Sequence, residues 1–175
     1  MKKAALLIFF TFAVVVKLLA QTPSAAVTVK EYRNYPFKFI LSVPDNWKLY
    51  LEFGKDSVAH TALADWELPK VYSELEKANI ANAISVTAYK QQSIGSVEDL
   101  IRIELAKMHA EAETDKTNPN ARIIYPMWHG LRYKVKLVFV YKNGIGYVIN
   151  FTATPGTYDI NLPTFEEFNK TIRYE

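Results

Sequence analysis

The chain has 175 residues, 50% hydrophobic and 22% charged, which suits one ordinary globular domain and excludes a disordered chain. The formal charge of +3 comes from the first 21 residues, where Lys2, Lys3 and Lys17 stand without an acid; the remaining bases match the 18 acids one for one. A neutral body gives no electrostatic case for nucleic acid or an anionic membrane surface, and the absence of cysteine excludes disulfides, thiol catalysis, cysteine-zinc sites and lipoprotein anchoring.

Lys2-Lys3 followed by the apolar run Ala4 to Val16 reads as a secretion signal over residues 1–21, cleaved near Ala20 to Thr22. The run is shorter than the ~20 apolar residues of a helical span, and Lys17 interrupts it. The expected address is a bacterial periplasm or the exterior, with no stable membrane anchor after cleavage. Residues 22–34 read as a flexible lead-in, and residues 35–175 as a single domain.

Phe37, Phe39, Leu41 and Val43 alternate as a strand, stopped by the turn chemistry of Pro44-Asp45-Asn46. Extended pieces follow over Trp47 to Phe53 and Val58 to Leu63, with Gly54-Lys55-Asp56 turning between them. Asp65 to Ala81 has the poorest periodicity; Pro69 suits the first turn of a short helix carrying Val71, Leu75 and Ala78 on one stripe. In that stretch Asp65-Trp66-Glu67-Leu68-Pro69 sets a Trp and a Leu between acids. Loops on a rigid scaffold commonly carry binding, and Trp is enriched at interface hot spots, so Trp66 and Leu68 are candidate partner-contact residues. The competing reading folds Trp66 down over a sheet face.

Ala83 to Tyr89 reads as a strand with Ile84, Val86 and Ala88 inward. Ser96 caps a helix from Val97 to about Ala110, with Asp99 at its third position and a buried stripe of Val97, Leu100, Ile101, Leu105 and Met108. The polar stretch Glu111 to Asn120 is a loop. Arg122 to Trp128 is a strand that Pro126 assigns to a sheet edge, and His129-Gly130 turns it into Leu131 to Tyr141. Asn143-Gly144 then closes a hairpin with Ile145 to Thr154, since a two-residue type I′ turn needs φ > 0 at both central positions. That closure sets Tyr141 opposite Gly146, Phe139 opposite Val148 and Leu137 opposite Asn150, with both faces apolar. After Pro155-Gly156, Pro163 and Thr164 announce the last helix, capped by Thr164 and Glu167 and burying Phe165, Phe168 and Ile172. The expected class is α+β: an α-β-α sandwich, a largely antiparallel sheet covered by helices on both faces.

The opening YPFKFILSVPDNWKL resembles the Phe-, Pro- and Trp-marked start of PsbP-like proteins, a family named for an extrinsic subunit of the oxygen-evolving complex. IGSVEDLIRIEL, HGLRYKVKLVFVYKNGIGYVINFTAT and YDINLPTFEEFNKTIR follow in that family's order, so the resemblance runs from Tyr35 to Tyr174. It implies an α-β-α sandwich in a family of mostly non-catalytic members: photosystem accessory subunits, a Ran-binding import factor, bacterial envelope proteins and secretion chaperones. The matched positions are core and turn residues, and no binding residue carries over.

His60, His109 and His129 are scattered, and His109 with Glu113 reads as a solvated face, so no metal or other cofactor is expected. No nucleophile elbow, phosphate loop or dinucleotide fingerprint is present, and no catalytic residue is assigned. Lys134 and Lys136 alternate with Tyr133 and Val135, a stripe read as the solvated end of a sheet. The expected function is an exported, non-enzymatic accessory factor that binds an envelope or secreted protein. The alternatives are a carrier of a small apolar molecule between sheet and helix, and a hydrolase whose site no motif reveals.

Overall fold

A computed structural model describes residues 28–175; the leader and its cleavage region, residues 1–27, lie outside the described residues. The chain opens with β1 (Val29–Asn34), β2 (Phe39–Pro44), β3 (Lys48–Phe53) and β4 (Thr61–Glu67). A small hairpin of β5 (Val71–Ser73) and β6 (Ala78–Ile80) leads to β7 (Ala83–Tyr89) and helix α1 (Val97–Met108). Next come β8 (Glu113–Thr114), β9 (Ala121–Ile124), β10 (Met127–Trp128), β11 (Leu131–Arg132), β12 (Lys134–Lys142) and β13 (Ile145–Ala153). Helix α2 (Pro155–Lys170) and the short β14 (Arg173–Tyr174) close the chain.

The main sheet is antiparallel, with the order β3-β4-β7-β13-β12-β9-β8. Its centre is the Asn143-Gly144 hairpin in the expected register: Tyr141 opposite Gly146, Phe139 opposite Val148, Leu137 opposite Asn150. Both turn residues take positive φ, 53° and 77°, as a type I′ turn requires. The two apolar faces of the hairpin feed two cores. Leu137, Phe139 and Val148 pack under α1. Val138, Tyr147, Ile149 and Phe151 join Phe37, Phe39, Trp66, Phe165 and Phe168 on the other side.

The expected α-β-α sandwich is corrected. Strand makes up 46% of the described residues and helix 19%, in two helices, too little helix to cover both faces of a seven-stranded sheet. One face is covered jointly by α2 and a second antiparallel sheet, β1-β2-β14. The other carries α1 over the central strands, and Leu51 and Phe53 at the β3 end stay exposed. Two segments account for the difference. Residues 29–34, expected as lead-in, form β1 in full register with β2, from Val29 opposite Pro44 to Asn34 opposite Phe39. Asp65 to Ala81 holds the end of β4 and the β5–β6 hairpin instead of a helix, because Lys77 supplies the positive-φ turn residue and Ser73 pairs with Ala78.

Helix α1 begins as expected: Ser96 Oγ accepts from Asp99 N at 3.1 Å. It stops at His109, which takes the left-handed conformation at φ 48°. Helix α2 begins nine residues before the expected cap at Thr164, with Pro155 in its first turn and Pro163 inside it. Pro163 and the residue four before it, Asp159, are both exposed, so water can satisfy the carbonyl that Pro163 leaves without a donor. Thr154 gives α2 no side-chain cap; Glu76, from the β5–β6 turn, accepts from Gly156 N at 3.3 Å in its place. Gly156 is required there, since a Cβ would collide with Ser73 and Glu76.

Candidate functional site

Trp66 and Leu68 lie inside the protein, 1% and 2% exposed. Strand alternation in β4 points Trp66 to the α2 side, where its ring meets Tyr32 edge-on at 5.2 Å and Phe168 at 5.8 Å. The Leu68 N–H donates to Asn82 O at 2.9 Å. The lid-like reading of Trp66 describes this position; a surface anchor at Trp66 and Leu68 is corrected, because neither side chain reaches solvent.

Exposed apolar surface gathers in two places, on the edge strand β3 at Leu49, Tyr50, Leu51 and Phe53, and at the end of the main sheet beyond β9 and β12. β9 and β12 run on past the sheet as the hairpin β10–β11, tied at its base by Tyr133 N donating to Pro126 O at 2.9 Å. His129 and Gly130 form its turn, at φ 49° and 76°. Met127 is 66% exposed, Trp128 65%, Leu131 42% and Tyr125 40%. The Trp128 ring leans on His129 at 4.9 Å and Tyr133 at 6.3 Å, and the Arg132 guanidinium stands 5.6 Å from the Tyr125 ring centre. Isolated exposed apolar residues are ordinary, but a cluster on one finger is not.

A depression flanks the hairpin on each side of the sheet. On the α1 side, Met108, Ile124, Pro126, Trp128 and Tyr133 line an apolar groove of about 320 Å³. On the α2 side, a polar cleft of about 340 Å³ is lined by Asp115, Tyr125, Lys134, Lys136, Tyr158 and Glu166. Lys136, expected in the solvated end of a sheet, is 6% exposed. Its Nζ lies 3.1 Å from Asp115 Oδ2 and 3.6 Å from Glu166 Oε1, so this buried side chain has two carboxylate partners. Lys134 Nζ sits 3.9 Å from the centre of the Tyr158 ring, a cation–π contact.

Burial alone would raise the Asp115 pKa, but hydrogen bonds from the Thr117 hydroxyl and N–H, and the Lys136 ammonium, outweigh it and bring it down to about 2. Burial, first of all, and the negative charge of Asp115 push the Tyr158 phenol well above its usual range. Within the cleft Lys136 is thus shared between Asp115 and Glu166, while Glu113, Lys116 and Asp159 line it outside that set. A carboxylate held ionised this firmly makes a poor proton shuttle near neutral pH. Among the described residues no three His, Cys, Asp or Glu side chains come together as a metal-holding group. His109 and Glu113 do not share a helix face, since α1 ends at Met108.

The His129-Gly130 turn and the lysine alternation were both visible, but burial of Lys136 depends on Asp115 and Glu166, which lie far from it in sequence.

These features define a class: a predominantly antiparallel domain of a seven-stranded and a three-stranded sheet with two helices. No family model matches the sequence, and no curated protein matches it. Solved structures do. A Pseudomonas aeruginosa protein of unknown function aligns at TM-score 0.50 and 14% identity, over 84% of this chain and 97% of that one. Cyanobacterial PsbP from Synechocystis aligns at TM-score 0.45 and 10% identity, over 90% and 99%. A Bacteroides thetaiotaomicron protein aligns at 0.46 and 18% identity over 83% of this chain; the chain spans about half the length of that protein, 48%. At 14% identity the likeness to the Pseudomonas protein is one of fold alone.

Proposed function

We propose that this is an exported, non-catalytic binding domain that holds a protein partner in the cell envelope or exterior through the Met127–Arg132 hairpin. One observation carries the reading: four large side chains are exposed on a finger anchored in the main sheet, Trp128 and its cross-strand partner Leu131 on one face and Tyr125 and Met127 on the other. Trp, Tyr and Arg, the residue types that dominate binding hot spots, all occur in it, and a rigid base lowers the entropy lost on binding. The firm ionisation of Asp115 in the neighbouring cleft supports binding over acid–base catalysis by that carboxylate. The basic-apolar leader supports export.

A photo-crosslinking amino acid at position 128, in the full chain expressed in its own cells, tests the proposal. A control at Tyr72, exposed on the β5–β6 hairpin, samples unrelated surface. A discrete protein adduct from position 128 and none from position 72 is the expected result. No adduct at 128, or the same adducts from both positions, would overturn it.

A further inference from the structure

Away from the hairpin, two shallow grooves meet beside Trp47, between β2 and α2. One, of about 450 Å³, has Phe168 and Pro163 in its wall; the other, of about 350 Å³, reaches Leu68, Pro69 and Asn161; Val29, Pro44, Trp47 and Thr164 border both. Trp47 and Phe168 pack ring to ring at 5.3 Å, which gives the grooves a stiff aromatic floor. Volumes of this order suit a small organic ligand.

Three chemical features narrow the occupant. The walls are overwhelmingly apolar, so the guest is largely hydrocarbon. Asn161, 8% exposed, lies in the wall, and its amide Nδ2 is buried with no hydrogen-bond partner among the described residues. Buried amides are nearly always paired, and a carboxamide turned about its last bond can offer N–H to whatever lies beside it. The charged residue bordering the grooves is Glu167, with no lysine, arginine or histidine beside it among the described lining. An anionic head group would meet repulsion there and no counter-charge.

We propose that the joined grooves bind an uncharged acyl compound, with its hydrocarbon chain over Trp47 and Phe168 and its ester or amide carbonyl accepting from Asn161. The site is separate from the protein-binding hairpin, and either can fail without the other.

The test is titration of the full chain with methyl decanoate, decanoate and decane below their solubility limits, read by tryptophan emission. Methyl decanoate should bind about tenfold more tightly than either relative, the scale of one hydrogen bond to a buried donor. Asn161→Leu should erase the preference for ester over decane while keeping hydrocarbon binding, which a purely structural role for Asn161 would not do. Thr164→Phe, at an exposed position on the shared wall, should abolish binding of all three with an unchanged melting temperature. Should that variant melt early, the Asn161→Leu ratio decides by itself. Equal binding of ester and decane by the unaltered chain, tighter binding of decanoate, or no binding at all would each overturn the assignment.

Discussion

The Lys136–Asp115 pair offers the sharpest measurement, because each half-deletion has a different expected cost. Asp115→Asn keeps the side-chain shape and an oxygen for Thr117, but takes the full charge from beside a buried ammonium. Removing one partner of a buried pair ordinarily costs ~3–5 kcal/mol. Here Glu166 remains 3.6 Å away and the cleft admits water, so about 1.5–3 kcal/mol is expected. Lys136→Met removes the buried cation, keeps the apolar stem and leaves Asp115 its bonds from Thr117 and Asn118. It should cost no more than about 1 kcal/mol. The pH dependence has a definite sign. Asp115 titrates near 2 when folded against its ordinary 3.8, so its contribution is complete above pH 4 and disappears as pH falls through 3.8 towards 2. With solvent screening at the cleft allowed for, that contribution is about 1–2 kcal/mol. Urea unfolding of the wild type and both variants at pH 7, 4.5, 3 and 2.5 measures all of it. The wild type should lose stability more steeply than Asp115→Asn between pH 4 and 2.5, and the two should converge at the acid end. A cost under ~0.5 kcal/mol for Asp115→Asn at pH 7, together with parallel pH curves, would refute the argument.

Trp66→Ala should cost ~3–5 kcal/mol by chemical denaturation, since it empties the contact between Tyr32 and Phe168; a loss under ~1 kcal/mol would contradict its burial. Glu76→Ala removes the acceptor that caps α2 and should cost ~1 kcal/mol. Burial would raise the Glu76 pKa, but hydrogen bonds from Ser73, Gly156 and Thr154 lower it overall, so this contribution is present at neutral pH and fades under acid; a loss undiminished at pH 3 would refute the capping role. Cleavage of the leader should give a mature chain beginning between Gln21 and Ala26, and an intact mass from cell envelope that retains residues 1–20 would refute export by that route.

Local chemistry by itself determined the central hairpin, its register and the start of α1. Asn143-Gly144 admits one short turn, the turn fixes which residues face each other, and Ser96 caps a helix through contacts three residues away. The alternation of Phe37, Phe39, Leu41 and Val43 likewise identified core positions, all of them buried. Other features depended on partners distant in sequence. Residues 29–34 carry little strand signal, yet become a strand because β2 offers them an edge. Trp66 between two acids admits a surface and a buried reading, and Tyr32 and Phe168 closing over it decide for the buried one. Lys136 looks solvated until Asp115 and Glu166 meet its ammonium from other segments. Trp128 could have been core by composition, and its exposure follows from the hairpin extending past the sheet. In each case turn and capping chemistry acts over a few residues and is legible there, whereas burial is a property of what folds against a residue. The candidate contact surface is built from burial and exposure, and so it was decided by the tertiary structure.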